Sequence, residues 1–495
     1  MILKKILGSI AALVIMVGGI LMIQPKSMQG DTILAQVVSG LQEGPMQPEQ
    51  PKTRGLLMFR GTPERNNYGS GNYERIPQQA WKYPSKAMCA SSSALGVTKV
   101  WCGTGWTGQP VVWDNPNGVR EIIFGAYDRN VHFVDAATGK DTRPVFKTGD
   151  IIKGSITMDP DGYPFIYFGS RDNNLRIVSL QQEGKTQLLW KLNANSRKGI
   201  WNDDWDGNPI IKDDILYEGG ENGWFYAVKL NRAYDTNGVA TIKPEIVFSE
   251  ALFNDDLIKK TDKNLSIESS PLMIGDRVYV ANSGGRIVGF DISKVEEGIA
   301  PIVFDYWAGD DIDATLTTDG QGNLYAVAEA ERLNKRSKEV GQIIKLNPNK
   351  IGDPREWGVA VPKDIETGIG GGLWSTPAHY KGYIYAVTNP GHLLIINTAD
   401  GKVMKRMKIG VHEWSSPSIV NDTLVIGLCN KGALRGYSLK ENPVEPKLLW
   451  EKKVGTAGGC VESTPALYEG TISVGSRDGF MYHFKPAEIK QEVVY

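Results

Sequence analysis

From about residue 109 the chain repeats one pattern of apolar and polar positions. An acidic or polar residue and a Ser/Thr–Pro step lead into a short apolar run. A Gly/Asp/Asn turn, an alternating run and a polar Gly turn follow, as in "IESSPLMIGDRVYVANSGG" from Ile267 and "GCVESTPALYEGTISVGSRDG" from Gly459. Copies begin near Gln109, Ser155, Asn208, Ser270, Thr315, Thr376, Ser416 and Thr464, at spacings of 40 to 62 residues; the copies at Ser155 and Thr315 lack the Pro. Each copy adds a third run, such as "RIVGFDI" or "HLLIINT", and all but two add an outer run with one large ring, such as "LLWKLN" or "LLWEKKVG". The copy at Thr376 has "VMKRMKIG" there, without a ring.

Alternation over four to eight residues between turn residues predicts half-buried antiparallel strands. Four strands per copy at this period predict an all-β, eight-bladed β-propeller over residues 56–490. The last copy ends at "FMYHFKPAEI" without an outer strand, whereas "QQAWKYPS", Gln78 to Ser85, precedes the first copy as an orphan outer strand. The N-terminal strand around Trp81 is therefore expected to complete the last blade, which removes the open edge of a linear array. Trp81, Trp190 and Trp450 are assigned to packing between blades.

Composition adds little beyond a globular chain. With 495 residues and a formal net charge of −1, it has no basic surplus to suggest nucleic-acid binding. The N-terminus differs. Lys4 and Lys5 precede an uncharged apolar stretch, Ile6 to Ile23, which predicts an exported protein, periplasmic or extracellular. Residues 1–35 are a signal peptide or an uncleaved signal anchor, and the Pro/Gln-rich residues 36–55 a linker. Membrane contact is expected only through that segment.

"STPALYEGTISVGSRDGFMYHFK" and "AYDRNVHFVDAATGK", with its Asp135, Thr138, Gly139 and Lys140, resemble the repeat of the quinoprotein (PQQ)-like propellers. The resemblance covers about residues 56 to 485. It implies the fold and two different functions. One branch, the pyrroloquinoline-quinone-dependent alcohol dehydrogenases, holds PQQ in the central channel over a Trp, with Ca²⁺, under a disulfide between adjacent Cys. This chain has no adjacent Cys pair. The other branch is non-catalytic and binds protein partners through its loops.

Four Cys in an exported chain permit disulfides. In a propeller, the loop leading into an inner strand shares a face with the turn between the second and third strands. Cys102 and Cys460 fall in such loops, Cys429 in the neighbouring turn and Cys89 in the long segment before the first copy. This topology predicts Cys89–Cys102 and Cys429–Cys460, the alternative being four buried thiols.

The residues just before each inner strand encircle one mouth of the channel. They are Thr107, Lys153, Asp204 with Asp206, Glu268, Asp311 with Asp313, Trp374, Glu413 and Glu462. Carboxylates at five of the eight positions point to a cation or polar-ligand site, the alternative being acids that cap loop N–H groups. Asp204, Asp206, Glu268, Asp311 and Asp313 come from consecutive copies and form a candidate Ca²⁺ site. Trp205, Trp374, Lys153, Glu413 and Glu462 are channel candidates for a bound ligand. The five His lack zinc-motif spacing, and "GTGWTG" opens a strand rather than a helix, so no pyrophosphate site arises. The expectation is a monomeric, non-catalytic scaffold for a protein partner or polar small molecule, with a PQQ/Ca²⁺-dependent dehydrogenase as the alternative.

Overall fold

A computed structural model describes residues 53–487 except 95, 106, 107, 457 and 458. The predicted signal segment, most of the linker and Thr107 lie outside the described residues. Eight antiparallel blades form the ring, with inner strands at Val111–Asp114, Thr157–Met158, Ile210–Lys212, Leu272–Ile274, Thr317–Thr318, Ala378–Tyr380, Ser418–Val420 and Ala466–Tyr468. Each begins where a repeat copy was placed. No helix among the described residues is long and apolar enough to cross a membrane.

The repeated Ser/Thr hydroxyl joins neighbouring blades. Gln109 N donates to Ser155 Oγ (2.7 Å), Asn208 N to Ser270 Oγ (3.0 Å), Ser270 N to Thr315 Oγ1 (3.1 Å), Thr315 N to Thr376 Oγ1 (3.1 Å) and Thr376 N to Ser416 Oγ (2.9 Å). An inner strand has no inner neighbour, so these side chains satisfy backbone N–H groups that would otherwise be orphaned at the channel wall.

Ring closure occurs as the orphan strand predicted. Pro77–Tyr83 pairs with Phe480–Pro486, with Trp81 opposite His483. Trp81 Nε1 donates to Ala136 O (2.9 Å), and a Cβ on Gly139 would lie 2.6 Å from the Trp81 ring. Blade 5 uses the same device: Trp357 Nε1 donates to Thr398 O (3.0 Å) above Gly401. The Thr/Ala–Gly turn of one blade thus seats the outer Trp of the blade before it. Trp450 is buried and donates to Tyr73 O (2.8 Å), while Trp190 is half-buried in the core between blades 2 and 3.

One element was not foreseen. Arg54–Leu56, partly inside the predicted linker, is a fifth and innermost strand on blade 1. The chain then crosses the channel. Met158 N donates to Leu57 O, Met273 N to Pro63 O and Ser70 N to Leu467 O, at 2.7, 2.9 and 3.1 Å. Thr53 Oγ1 reaches Asp159 O, and Asn421 Nδ2 reaches Gly71 O, both at turns after an inner strand. The segment therefore enters and leaves by that face, here called the lower face, and plugs the channel from below. Gln109 and Asn208, which replace Ser/Thr before Pro, are its docking points: Gln109 Oε1 accepts from Arg60 N (2.8 Å) and Asn208 Oδ1 from Phe59 N (3.0 Å).

Both predicted disulfides are present. Cys89–Cys102 ties the two strands of a hairpin, Cys89–Ala94 and Val97–Cys102, and Cys429–Cys460 staples blade 7 to blade 8.

Candidate functional site

Counting two residues back from each Ser/Thr–Pro step gives the upper mouth of the channel: Lys153, Asp206, Glu268, Asp313, Trp374, Trp414 and Glu462. Turns between second and third strands add Glu221, Glu329 and Arg171 beside them. Lys153 Nζ sits among three carboxylates. It contacts Asp206 Oδ2 directly and lies 3.6 Å from Glu221 Oε1 and 3.8 Å from Glu268 Oε2. Burial works against the Lys153 ammonium, but these three acids override it and hold it charged. Burial, and then Asp313, push the Glu268 carboxyl up to about 8. Burial, and then Asp206, raise Glu221 well above the usual carboxylate range.

Blade 5 adds a second group. Ser283 Oγ donates to Asp313 Oδ1 (3.0 Å) and Ser266 Oγ to Ser283 Oγ (2.9 Å), and a protonated Glu268 Oε1, 3.1 Å from Ser266 Oγ, completes a side-chain bridge from Glu268 to Asp313. Burial, and then the charge of Asp313, raise the Asp311 and Glu329 carboxyls well above the normal range. Asp206 Oδ1, Glu221 Oε1 and Asp311 Oδ1 are buried without a hydrogen-bond donor. Buried polar atoms are nearly always paired, so these oxygens mark where a ligand's donors fit.

The predicted five-residue Ca²⁺ cage is corrected by this arrangement. Asp204 turns to Arg171 (2.7 Å) and Asp311 faces Arg332 (3.8 Å). Among the described residues, Asp206, Glu221 and Glu268 are the one group of three or more whose ligand atoms lie within 4.8 Å of one another, and Lys153 lies among them. An ammonium at that place repels a dication, so the residues do not fit a resident Ca²⁺.

Two channel candidates are also placed elsewhere. Trp205 is fully buried in the core between blades 2 and 3, donating to Asn173 O (3.1 Å), because its ring packs beneath the loop that carries Asp204 and Asp206. A ring sealed in that core cannot floor a quinone. Glu413 turns away from the mouth to accept from Cys429 N, as a cap on the neighbouring turn; burial pushes its carboxyl up to about 7. Glu462, Lys153 and Trp374 do belong to the mouth, Glu462 paired there with Arg477 (3.0 Å). Trp414 was missed for its neighbour Glu413, although the two-residue count from Ser416 finds it; its ring stacks on Trp374 at 4.5 Å. Glu221 lies in the polar Gly turn of its copy and Glu329 in the longer turn of blade 5, and neither turn was counted toward the mouth.

The opposite side of the mouth is cationic. Trp101, from the disulfide hairpin, lies between Arg171 (5.4 Å) and Arg477 (5.0 Å) and beside Tyr127 (5.4 Å). The mouth is thus polarised, with arginines and an aromatic lid over blades 8, 1 and 2, and carboxylates over blades 3 to 5.

No protein-family model and no curated protein matches the chain. Solved structures do. BamB from Moraxella catarrhalis is 13% identical, with a TM-score of 0.52, over 83% of this chain and 100% of that one. Sqt1 from Saccharomyces cerevisiae is 12% identical, with a TM-score of 0.54, over 78% and 97%. The computationally designed Ika8 protein is 10% identical, with a TM-score of 0.52, over 77% and 96%. At these identities the likeness speaks for architecture alone, and it agrees with the blade count: the chain is an eight-bladed β-propeller.

Proposed function

We propose that the protein is an exported, non-catalytic binding propeller that takes a protein partner or polar ligand at its upper face. The observation that carries this reading is the asymmetry of the channel. Residues 57–70 fill its lower part with paired groups, while buried carboxylate oxygens at the upper mouth lack donors. A plug at the level of Gln109 and Asn208 also leaves little room for a cofactor held deep in the channel. The two disulfides and the basic-then-apolar N-terminus support export.

A photo-cross-linking residue at Glu331, exposed near the mouth, should trap a discrete partner in cells. The same residue at Asp213, on a lower-face turn, should not. Equal trapping from both positions, or none from Glu331, rejects the reading.

A further inference from the structure

We propose that the wall formed by Asp311, Asp313, Glu329 and Glu331, flanked by Trp374 and Trp414, receives an arginine side chain from a basic segment of a partner protein. This rests on the upper face being the binding face.

Charge complementarity is the first reason. Lys153 serves the trio on blades 3 and 4, whereas the ion pair among the described residues to the four acids of blade 5 is Arg332 with Asp311. Arg332 is already committed: its guanidinium pairs with Asp262 at 3.0 Å and donates to Ser283 O at 2.6 Å. Asp311 and Glu329 meanwhile feel the charge of Asp313 in a buried setting, an arrangement that is relieved by protons or by incoming donors. Asp311 Oδ1 is the independent mark of a ligand, since it has no donor in a residue only 3% exposed.

The shape of the wall selects among cations. Asp311 and Glu329 are buried, Asp313 is half-buried and Glu331 is exposed. This gradient suits a long side chain entering from solvent, with its stem at the rim and its charge at depth. A divalent ion such as Ca²⁺ needs six to eight oxygens converging on one point, and these acids offer no such cage among the described residues. A planar guanidinium presents five donors to a row of carboxylates, whereas an ammonium acts as a point charge.

The aromatic pair completes the match. Leu373 N donates to Ala328 O (3.1 Å), and Gly372 bridges to Glu329, so the segment leading to Trp374 runs directly against the acidic wall. Trp374 and Trp414, both half-buried, offer flat faces for stacking a guanidinium. Leu333, 38% exposed, and Ile365, 97% exposed, lie on the loops beside the wall and offer apolar footing for the partner's backbone.

The test uses the full chain and three probes: a fluorescent Gly-Arg-Gly-Arg-Gly peptide, its citrulline twin of nearly equal shape without charge, and Ca²⁺ alone. The arginine peptide should bind saturably, weaken with added salt, and exceed the twin by about tenfold or more. An Asp313→Asn, Glu331→Gln double variant changes only partly exposed positions, and it should lose about tenfold in affinity while its melting curve stays close to the parent's. Trp374→Ala should weaken the arginine peptide but leave Ca²⁺ titrations unchanged. Absent binding, equal binding of the twin, or an unaffected double variant overturns the assignment. Ca²⁺ heat that disappears in the double variant, without peptide binding, overturns it in favour of a metal. If cross-linking from Glu331 persists while the arginine peptide fails, the arginine assignment falls and the binding face stands.

Discussion

At the lower end of the channel, Arg60 and Arg65 are fully buried, yet their guanidinium groups are well supplied. Arg60 donates to Thr376 O (2.6 Å), Pro377 O (2.7 Å) and Pro417 O (3.0 Å); Arg65 donates to Pro271 O (3.0 Å), Phe59 O (2.9 Å) and Asn208 O (2.6 Å). At the upper end, acids of similar burial face one another, and several of their oxygens have no donor. Burial lowers the two arginines only to about 10 and about 9, so they stay charged at neutral pH, whereas it lifts Asp204 to about 7 and Glu268 to about 8. Buried charge that is largely hydrogen-bonded, as in these guanidinium groups where only Arg60 Nε lacks an acceptor, holds blades together. Buried charge left short of partners stores an interaction for something outside the chain.

The largest effect should come from breaking the lower end. Arg65→Ala leaves buried carbonyls without donors and opens a cavity, and should cost on the order of 4 kcal/mol, read as a fall in the denaturant midpoint. Asp313→Asn at the upper end should shift that midpoint by less than about 1 kcal/mol. Similar losses for both would erase the distinction between the two ends.

Next in size is the inter-blade staple. Cys429→Ser with Cys460→Ser removes a link between residues 31 apart in sequence and should cost about 2–4 kcal/mol. A double variant that melts like the parent would show that the staple adds nothing to the upper rim.

The pH dependence of stability separates the ends more finely. Glu268 and Asp204 have folded values raised above those of the unfolded chain, so between those values the folded protein holds more protons. Their contribution is fully present below about pH 4 and declines as pH rises toward about 8, by at most about 1.4 kcal/mol per pH unit for each group. Glu268→Gln should flatten that decline in unfolding measurements from pH 5 to 8. An unchanged slope would mean that Glu268 is already ionised through a bound cation. The smallest expected effect is none: added PQQ with Ca²⁺ should give no alcohol-dependent dye reduction above that of boiled protein, and activity above that level would revive the dehydrogenase alternative.

Periodicity was enough to place the blades, because each copy must bury the same faces against its neighbours. "STPALYEG" and "SSPLMIGD" announce inner strands wherever they fall, and an orphan "QQAWKYPS" has one place to go if the ring is to close. The Cys429–Cys460 pair followed from the same topology, since loops on one face of adjacent blades must meet, and it left Cys89 to Cys102. The plug was not legible as such. "LLMFRGTPERNNYG" has no period, and Gln109 and Asn208 look like lapses in the repeat until Phe59 and Arg60 are seen bonded to them.

The sequence by itself determined where the loops before the inner strands ring the mouth, because their positions follow the strand register, but not that Trp414 rather than Glu413 faces it or that Glu221 and Glu329 join it. Which way each side chain turns was decided only by tertiary structure. Glu413 swings to Cys429 N and Glu462 to Arg477, whereas Lys153 crosses from blade 2 to Asp206, Glu221 and Glu268. The physical reason is that a repeat fixes backbone geometry one blade at a time, while a buried charge chooses its partner across blades, among groups brought near only when the ring has closed.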